Sequence, residues 1–459
     1  MSVLSPTIAR RDAEPALSPE ERAYAAERRR TRAIRFCIWA YIVLWILEGA
    51  LRKWVFPGLA NPLGMIREPF VAAAYLLAFR AGVFPRNFIV WVSAILCFVL
   101  ILIGYFLIGL PIGVMAAGVW AYFWPIPFIF LIPRVMDQSD VHRVAKFLML
   151  VAIPMALLMA VQFKSPAGSK INAIVGQEEY VESWSTKEVA GEVRPSGTWS
   201  YVGGASSFYM LVAGVVLAYL TERRRASASL WVASLVSVLL STLVSHSRTQ
   251  VWGIAFVLGL YILFGLRVLS GRLNRLVLGV LLIAVAAVAL LSTKLGQEGI
   301  DVLEHRFTSA AKVESFTDRM LYTFVPPDPA SVPLGGFGLG VGTNTGALFL
   351  VGRRAFLLAE NEPPRVMMEF GYALGIIYLL FVRFGIVALM AAVAWRQSQL
   401  GNLLPVGILA AGAFMLVAGT WGTPPIQAFA VLCAGLCLAA ARQLPCRSGT
   451  RRLRQDLPA

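Results

Sequence analysis

Residues 87–108 read NFIVWVSAILCFVLILIGYFLI, a run without one charged side chain. As a helix rising 1.5 Å per residue it is about 33 Å long, enough to cross the hydrocarbon layer of a bilayer. The surrounding chain gives no polar shell in which to hide such a helix from water. Of 459 residues, 58% are hydrophobic and 14% charged, and the mean hydropathy is +0.71. Lipid is therefore the expected solvent.

Similar apolar cores recur at 33–50, 69–84, 111–133, 144–163, 201–220, 230–245, 251–266, 276–291, 366–395, 403–418 and 426–441, making twelve with the quoted one. The sequence thus predicts an all-α polytopic membrane protein of about twelve transmembrane helices, with a membrane domain over 33–441. Cores 69–84 and 366–395 are irregular: the first is short and carries Arg80, and the second is long enough to tilt or break at Arg383. The basic leader runs into the first core without a small-residue cleavage site, so that core is read as an anchor.

Charge orients the array. Threading the twelve cores puts Arg80, Arg86, Arg134, Arg143, Lys146, Arg223, Arg224, Arg225, Arg267, Arg272, Arg275 and Arg396 on the side of the amino terminus. Short loops on the other side, such as LIGLPIG (107–113) and TWGTPPI (420–426), carry no charge. By the positive-inside rule both termini are cytoplasmic, in what is expected to be a bacterial inner membrane. The net charge of +16 then reflects retained cytoplasmic Lys and Arg, and nucleic-acid binding is not expected. Residues 1–32 and 442–459 are expected as basic cytoplasmic tails, the first disordered against anionic lipid.

Two polar segments remain on the outer side, 164–200 and 294–365, the latter between the ninth and tenth helices. Function is expected there. Within 357–375, LLAENEPPRVMMEFGYALG, Asn361 suits a helix cap, Pro363 and Pro364 suit a first turn, and Arg365 and Glu369 stand at i, i+4. A helix start at the membrane surface offers backbone N–H groups to phosphate, although an ordinary cap with an ion pair explains the same residues. In VSHSRTQVWG (244–253), Arg248 sits at the outer end of two membrane helices, where it either meets an anion or snorkels. The run PLGGFGLGVGTN (333–344) lacks the Lys-Ser/Thr pair of a P-loop, so its glycines are read as allowing tight turns in a closely packed loop. Histidines at 142, 246 and 305 match no metal-ligand spacing, and the five cysteines lie in apolar or cytoplasmic segments where no disulfide is expected.

RPSGTWS (194–200) before a membrane helix, SHSRTQVWG (245–253) between two helices, and a long outer segment with LGGFGLGVG (334–342) running into AENEPPRVMMEFG (359–371) resemble, in that order, the O-antigen ligase and polymerase superfamily of bacterial envelope glycosyltransferases. The resemblance is clearest from about 194 to 395. It implies transfer of a glycan from undecaprenyl diphosphate to an acceptor sugar on a glycan or lipid-linked molecule, outside the inner membrane, with no metal, nucleotide or other cofactor. By that resemblance Arg248 is the first diphosphate-binding candidate, with Arg194, Arg319 and Arg365 behind it. Glu360 stands where family ligases carry a histidine, followed by Asn361 and, in the family's spacing, Gly371. It becomes the candidate base, with Glu362 as alternative, if partial burial raises its basicity. A polymerase accommodates the missing histidine better than a ligase. The rival expectation is a secondary transporter or lipid-linked glycan flippase, which would place charges or broken helices near the midplane in corresponding halves.

Overall fold

The computed structural model describes residues 19–175, 193–221, 226–268, 281, 284–311 and 322–442. Among the described residues the regular structure is all helical. Among the described residues, eight helices are long and apolar enough to span a bilayer: α2 Arg32–Val55, α3 Pro57–Arg80, α4 Phe88–Ile108, α5 Ile112–Val135, α6 Gln138–Lys164, α7 Val202–Leu220, α8 Ala228–Ser245 and α13 Tyr372–Gln399. Three shorter apolar helices accompany them: α9 Arg248–Phe264, α14 Leu404–Val417 and α15 Pro424–Ala439. Helix α1, Pro19–Arg30, precedes the spans. Between α9 and α13 lie α10 Lys294–Ala311, α11 Asn344–Val351 and α12 Glu362–Phe370. Of the expected core at 276–291, residues 276–280, 282 and 283 lie outside the described residues, and 284–291 is helical.

Helix α4 shows why lipid must be the solvent. Ile89, Ser93, Leu96 and Leu100 face protein, whereas Phe88, Trp91, Ile95, Phe98, Leu102 and Phe106 form an exposed stripe on the opposite face. A soluble protein does not leave such a stripe uncovered. Inside the array, α7, α14 and α15 are almost wholly buried, and α14 packs against both α7 and α15. Glycine makes this crossing possible: a Cβ on Gly214 of α7 would stand 2.4 Å from the carbonyl oxygen of Gly407 of α14, and one on Gly412 would stand 2.4 Å from Cβ of Cys433 of α15. Where apolar burial is no driving force between helices, such close backbone approach provides the association.

Two expectations change. Within the amino-terminal tail, 19–30 is helical rather than disordered. Arg28 of α1 donates to Asp140 Oδ1 at 2.7 Å, Tyr24 donates to Asp137, and Arg442 Nη2 meets Glu27 at 2.6 Å. Buried carboxylates at the start of α6 thus give the tail's basic and phenolic groups fixed partners. The long core expected from 366 to 395 is interrupted at Gly371, whose φ of 76° no L side chain adopts comfortably. Around Arg383 it winds as a π-helix over Tyr378–Phe384.

Candidate functional site

The polar segments 48–67, 164–175, 193–200 and 322–371 meet at one end of the helix array, joined there by 420–425. Residue Glu362 begins α12 with Pro363 and Pro364 in its first turn, as their fixed φ favours. The carboxylate is fully buried, paired with Arg365 and Arg383, and also accepts the backbone N–H of Trp421 at 3.3 Å. The Arg383 guanidinium lies 3.5 Å from the centre of the Trp421 ring and donates to the Leu416 carbonyl at 3.0 Å. Arg365 reaches the carbonyls of Ala359 and Glu360, at 3.3 and 3.2 Å, and lies over Phe356.

Glu369 ends the same helix in a different cradle. Its oxygens accept from the backbone N–H of Gly340 at 2.6 Å, that of Gly342 at 3.1 Å, and the Tyr122 hydroxyl at 2.8 Å. The glycine-rich loop therefore does hold an anion, and that anion is the protein's own. Gly340 has φ 92°, and a Cβ there would lie 2.1 Å from the Val114 carbonyl oxygen; on Gly342 it would meet Arg365 Cγ and Glu369 Oε1, each at 2.7 Å. Side chains at these positions would prevent the loop from closing on α12 and α5.

A second ionic cluster occupies the end of α2. Glu48 Oε1 meets Arg52 Nη1 at 3.0 Å, and Glu48 Oε2 meets Arg67 Nε at 3.2 Å. Arg52 donates to the Ala60 carbonyl at 2.6 Å and to Ser200 Oγ at 3.1 Å; Lys53 donates to Ser196 Oγ at 2.7 Å. RPSGTWS is thus seated on basic side chains of the first span. The short loop TWGTPPI links this cluster to the first one. The Pro424 carbonyl accepts from Arg67 at 2.8 Å, the Pro425 carbonyl from Trp45 Nε1 at 3.1 Å, and Thr423 Oγ1 from the Tyr201 hydroxyl at 3.2 Å, while Trp421 serves Glu362 and Arg383.

No family model, curated protein or solved structure matches the chain.

Of the expected site residues, Glu362 and Arg365 come together as a buried pair, and both oxygens of Glu362 are committed to guanidinium and amide donors. Three donors thus hold the Glu362 carboxylate, which has no exposed surface. Glu360 is exposed rather than partly buried. Arg248 and Arg194 are half-buried at the start of α9 and of RPSGTWS, and Arg319 lies outside the described residues. The Asn361 side chain does not cap α12; it donates to the Tyr322 carbonyl at 3.3 Å. The expected Arg365 to Glu369 pair is replaced by Arg365 to Glu362, because loop amides take Glu369. The start of α12 is also a poor phosphate site: prolines 363 and 364 have no N–H, and that of Arg365 bonds the Asn361 carbonyl at 3.2 Å.

Arg52, Lys53, Arg67 and Arg383 were not among the expected site residues. One signal for the first three stood in the sequence. Segment 51–67 carries all three basic residues on the side where the charge rule expects few, and a short loop that breaks the rule marks cations retained for a reason.

Proposed function

We propose that the protein transfers a glycan from a polyprenyl diphosphate to an acceptor sugar hydroxyl at the loop-bearing end, as the O-antigen ligases and polymerases it resembles do, with polymerisation favoured over ligation to a lipid core. The observation that carries this reading is the pairing of Arg52 and Arg67 with one buried carboxylate, Glu48, and the burial of Lys53 next to Arg52 without a carboxylate of its own, where apolar helices end. Charged side chains at that depth mark the places where a substrate or ion is held. In the proposed step the acceptor oxygen bonds the anomeric carbon while the bond from that carbon to the diphosphate oxygen breaks. The acceptor's proton passes to a base, and the lipid diphosphate leaves with the bonding electrons. Arginine forks on the phosphate oxygens stabilise the charge that develops there. Arg248 and Arg194 hold the diphosphate in this reading, and Glu360, the carboxylate open to solvent, takes the proton once substrate covers it.

A flippase is the second reading, favoured by one observation: α5 carries a π-helical turn at Val119–Phe123 and the chain breaks at Gly371 between α12 and α13, and broken helices are the hallmark of transport paths. Proteoliposomes separate the two. Purified protein is given undecaprenyl-diphosphate-linked glycan with a metal chelator present, and released undecaprenyl diphosphate and enlarged glycan are measured for the wild type, Arg248→Ala and Glu360→Gln. Release that survives chelation and falls at least a hundredfold or so in both variants supports transfer. Glycan lipid that crosses the bilayer unaltered supports the flippase instead.

A further inference from the structure

Lys53 is 5% exposed. Its ammonium donates to Ser196 Oγ at 2.7 Å and to the Gly197 carbonyl at 3.3 Å, and among the described residues no carboxylate lies within ion-pairing distance of it. The one acid in this cluster, Glu48, already serves both Arg52 and Arg67. The next, Glu68, spends Oε2 on the Trp124 indole N–H at 2.7 Å. Three cations therefore face two carboxylates at most, and Arg67 Nη1, fully buried, donates to no acceptor among the described residues. A buried excess cation is costly unless a counter-ion arrives.

Beside this cluster runs an apolar groove of about 420 Å³ between α2 and α6, walled by Val43, Leu47, Val151, Pro154 and Leu158 and closed at one end by Thr198. Thr198 is chain neighbour to Gly197, the acceptor of Lys53, and its hydroxyl is anchored on the Ile46 carbonyl at 2.5 Å. Leu47, Leu157 and Leu150 are exposed along the same faces, so the groove opens sideways, where lipid chains lie. An apolar trough thus ends beside an ammonium lacking a counter-ion.

We propose that this groove and Lys53 form the seat of the lipid diphosphate: its polyprenyl chain lies between α2 and α6, and its phosphate oxygens accept from Lys53 and Arg52. The identity of the lipid rests on the transferase reading; the existence of an anionic-lipid seat does not. Arg248 and Arg194 then act on the sugar-proximal side of the diphosphate, and Lys53 on the side of the chain.

The test measures binding rather than turnover. Full-length protein in nanodiscs is titrated with undecaprenyl diphosphate carrying no glycan, with undecaprenol as the same chain without charge, and with inorganic diphosphate as the same charge without a chain. Losing one charge-assisted hydrogen bond at a dry site weakens binding about ten- to a hundredfold. Lys53→Gln is expected to weaken undecaprenyl diphosphate by that factor and to leave undecaprenol unchanged. Val151→Trp, which fills the groove, is expected to weaken both lipids, and Arg396→Gln at the opposite end to weaken neither. A diazirine-bearing polyprenyl diphosphate should label peptides of α2 and α6 in the wild type, which keeps the idea testable should Lys53→Gln fail to fold. Affinity for undecaprenyl diphosphate within twofold of wild type in folded Lys53→Gln, labelling elsewhere, or inorganic diphosphate bound as tightly as the lipid would each overturn the proposal. If the binding pattern is found and no glycan is ever transferred, the reaction reading fails and the lipid seat stands. If transfer is found and the variants bind normally, the reverse holds.

Discussion

Replacing Glu362 by glutamine keeps the shape of the side chain and removes its charge, which makes it the sharpest probe of the buried network. In the wild type Glu362 pairs with both Arg365 and Arg383, and none of the three side chains has exposed surface. A solvent-exposed pair would lose about 0.2–1 kcal/mol. A buried carboxylate whose removal strands a guanidinium costs about 3–5 kcal/mol. Complete burial decides between the limits. Glutamine still offers one oxygen, but its amide turns N–H groups toward a second guanidinium or the Trp421 amide, so the loss should sit near 3 kcal/mol or above. Unfolding by sodium dodecyl sulfate titrated into mixed micelles, followed by circular dichroism, reads this difference. Arg383→Met and the double variant complete a cycle. The double variant should recover part of the loss, since removing both partners leaves no stranded charge and Arg365 remains near Glu369. A loss below about 1 kcal/mol for Glu362→Gln, or strict additivity of the two single variants, would refute the picture of a dry, mutually dependent triad.

Other consequences are as direct. Gly340→Ala forces a side chain into left-handed backbone and against the Val114 carbonyl; the conformation alone costs about 1–3 kcal/mol, and the same detergent titration should show at least that loss. Gly214→Val should drive α7 from α14, where a Cβ would stand 2.4 Å from a carbonyl oxygen, and the variant should elute as aggregate in gel filtration while Gly259→Ala, with open space around it on α9, elutes as wild type. The docking of α1 should depend on pH. Burial by itself would raise the Asp137 carboxyl, but hydrogen bonds from Ser139 and Tyr24 and the charge of Arg28 outweigh it and hold the group below its ordinary 3.8. A group lowered on folding contributes its stability above the ordinary value and loses it as pH falls through the folded value. Hydrogen-exchange protection in α1, with rates corrected for their intrinsic pH dependence, should therefore be constant from pH 7 to about 5 and fall below about 4, while Arg28→Ala should expose α1 already at pH 7.

The local rules of a single helix were legible and partly misleading at the site. Pro363 and Pro364 opened α12 where their geometry required, and the glycines of 333–344 did serve close packing. The i, i+4 spacing of Arg365 and Glu369, in contrast, did not decide their pairing. Glu369 found two backbone N–H groups and a tyrosine hydroxyl, while Arg365 found a carboxylate one turn back. Glu360 and Glu362 are two residues apart and indistinguishable by type, yet one is exposed and the other sealed under Trp421 and Arg383.

What the sequence determined alone is its solvent and its element type: uncharged runs such as 87–108 cannot be covered by so few polar residues, and only a helix satisfies its own backbone in lipid. What it left to the tertiary structure is which faces meet. In lipid an apolar helix face is equally at home against protein or acyl chain, so hydropathy periodicity carries no information on neighbours. Contacts such as Gly214 on Gly407 follow from shape instead. The same holds for the charges. The partners of Arg67 and Arg383 include residues of a loop hundreds or tens of positions away, 424 and 421, and a buried ion takes the partner that the packed helices bring within reach, whatever its distance along the chain.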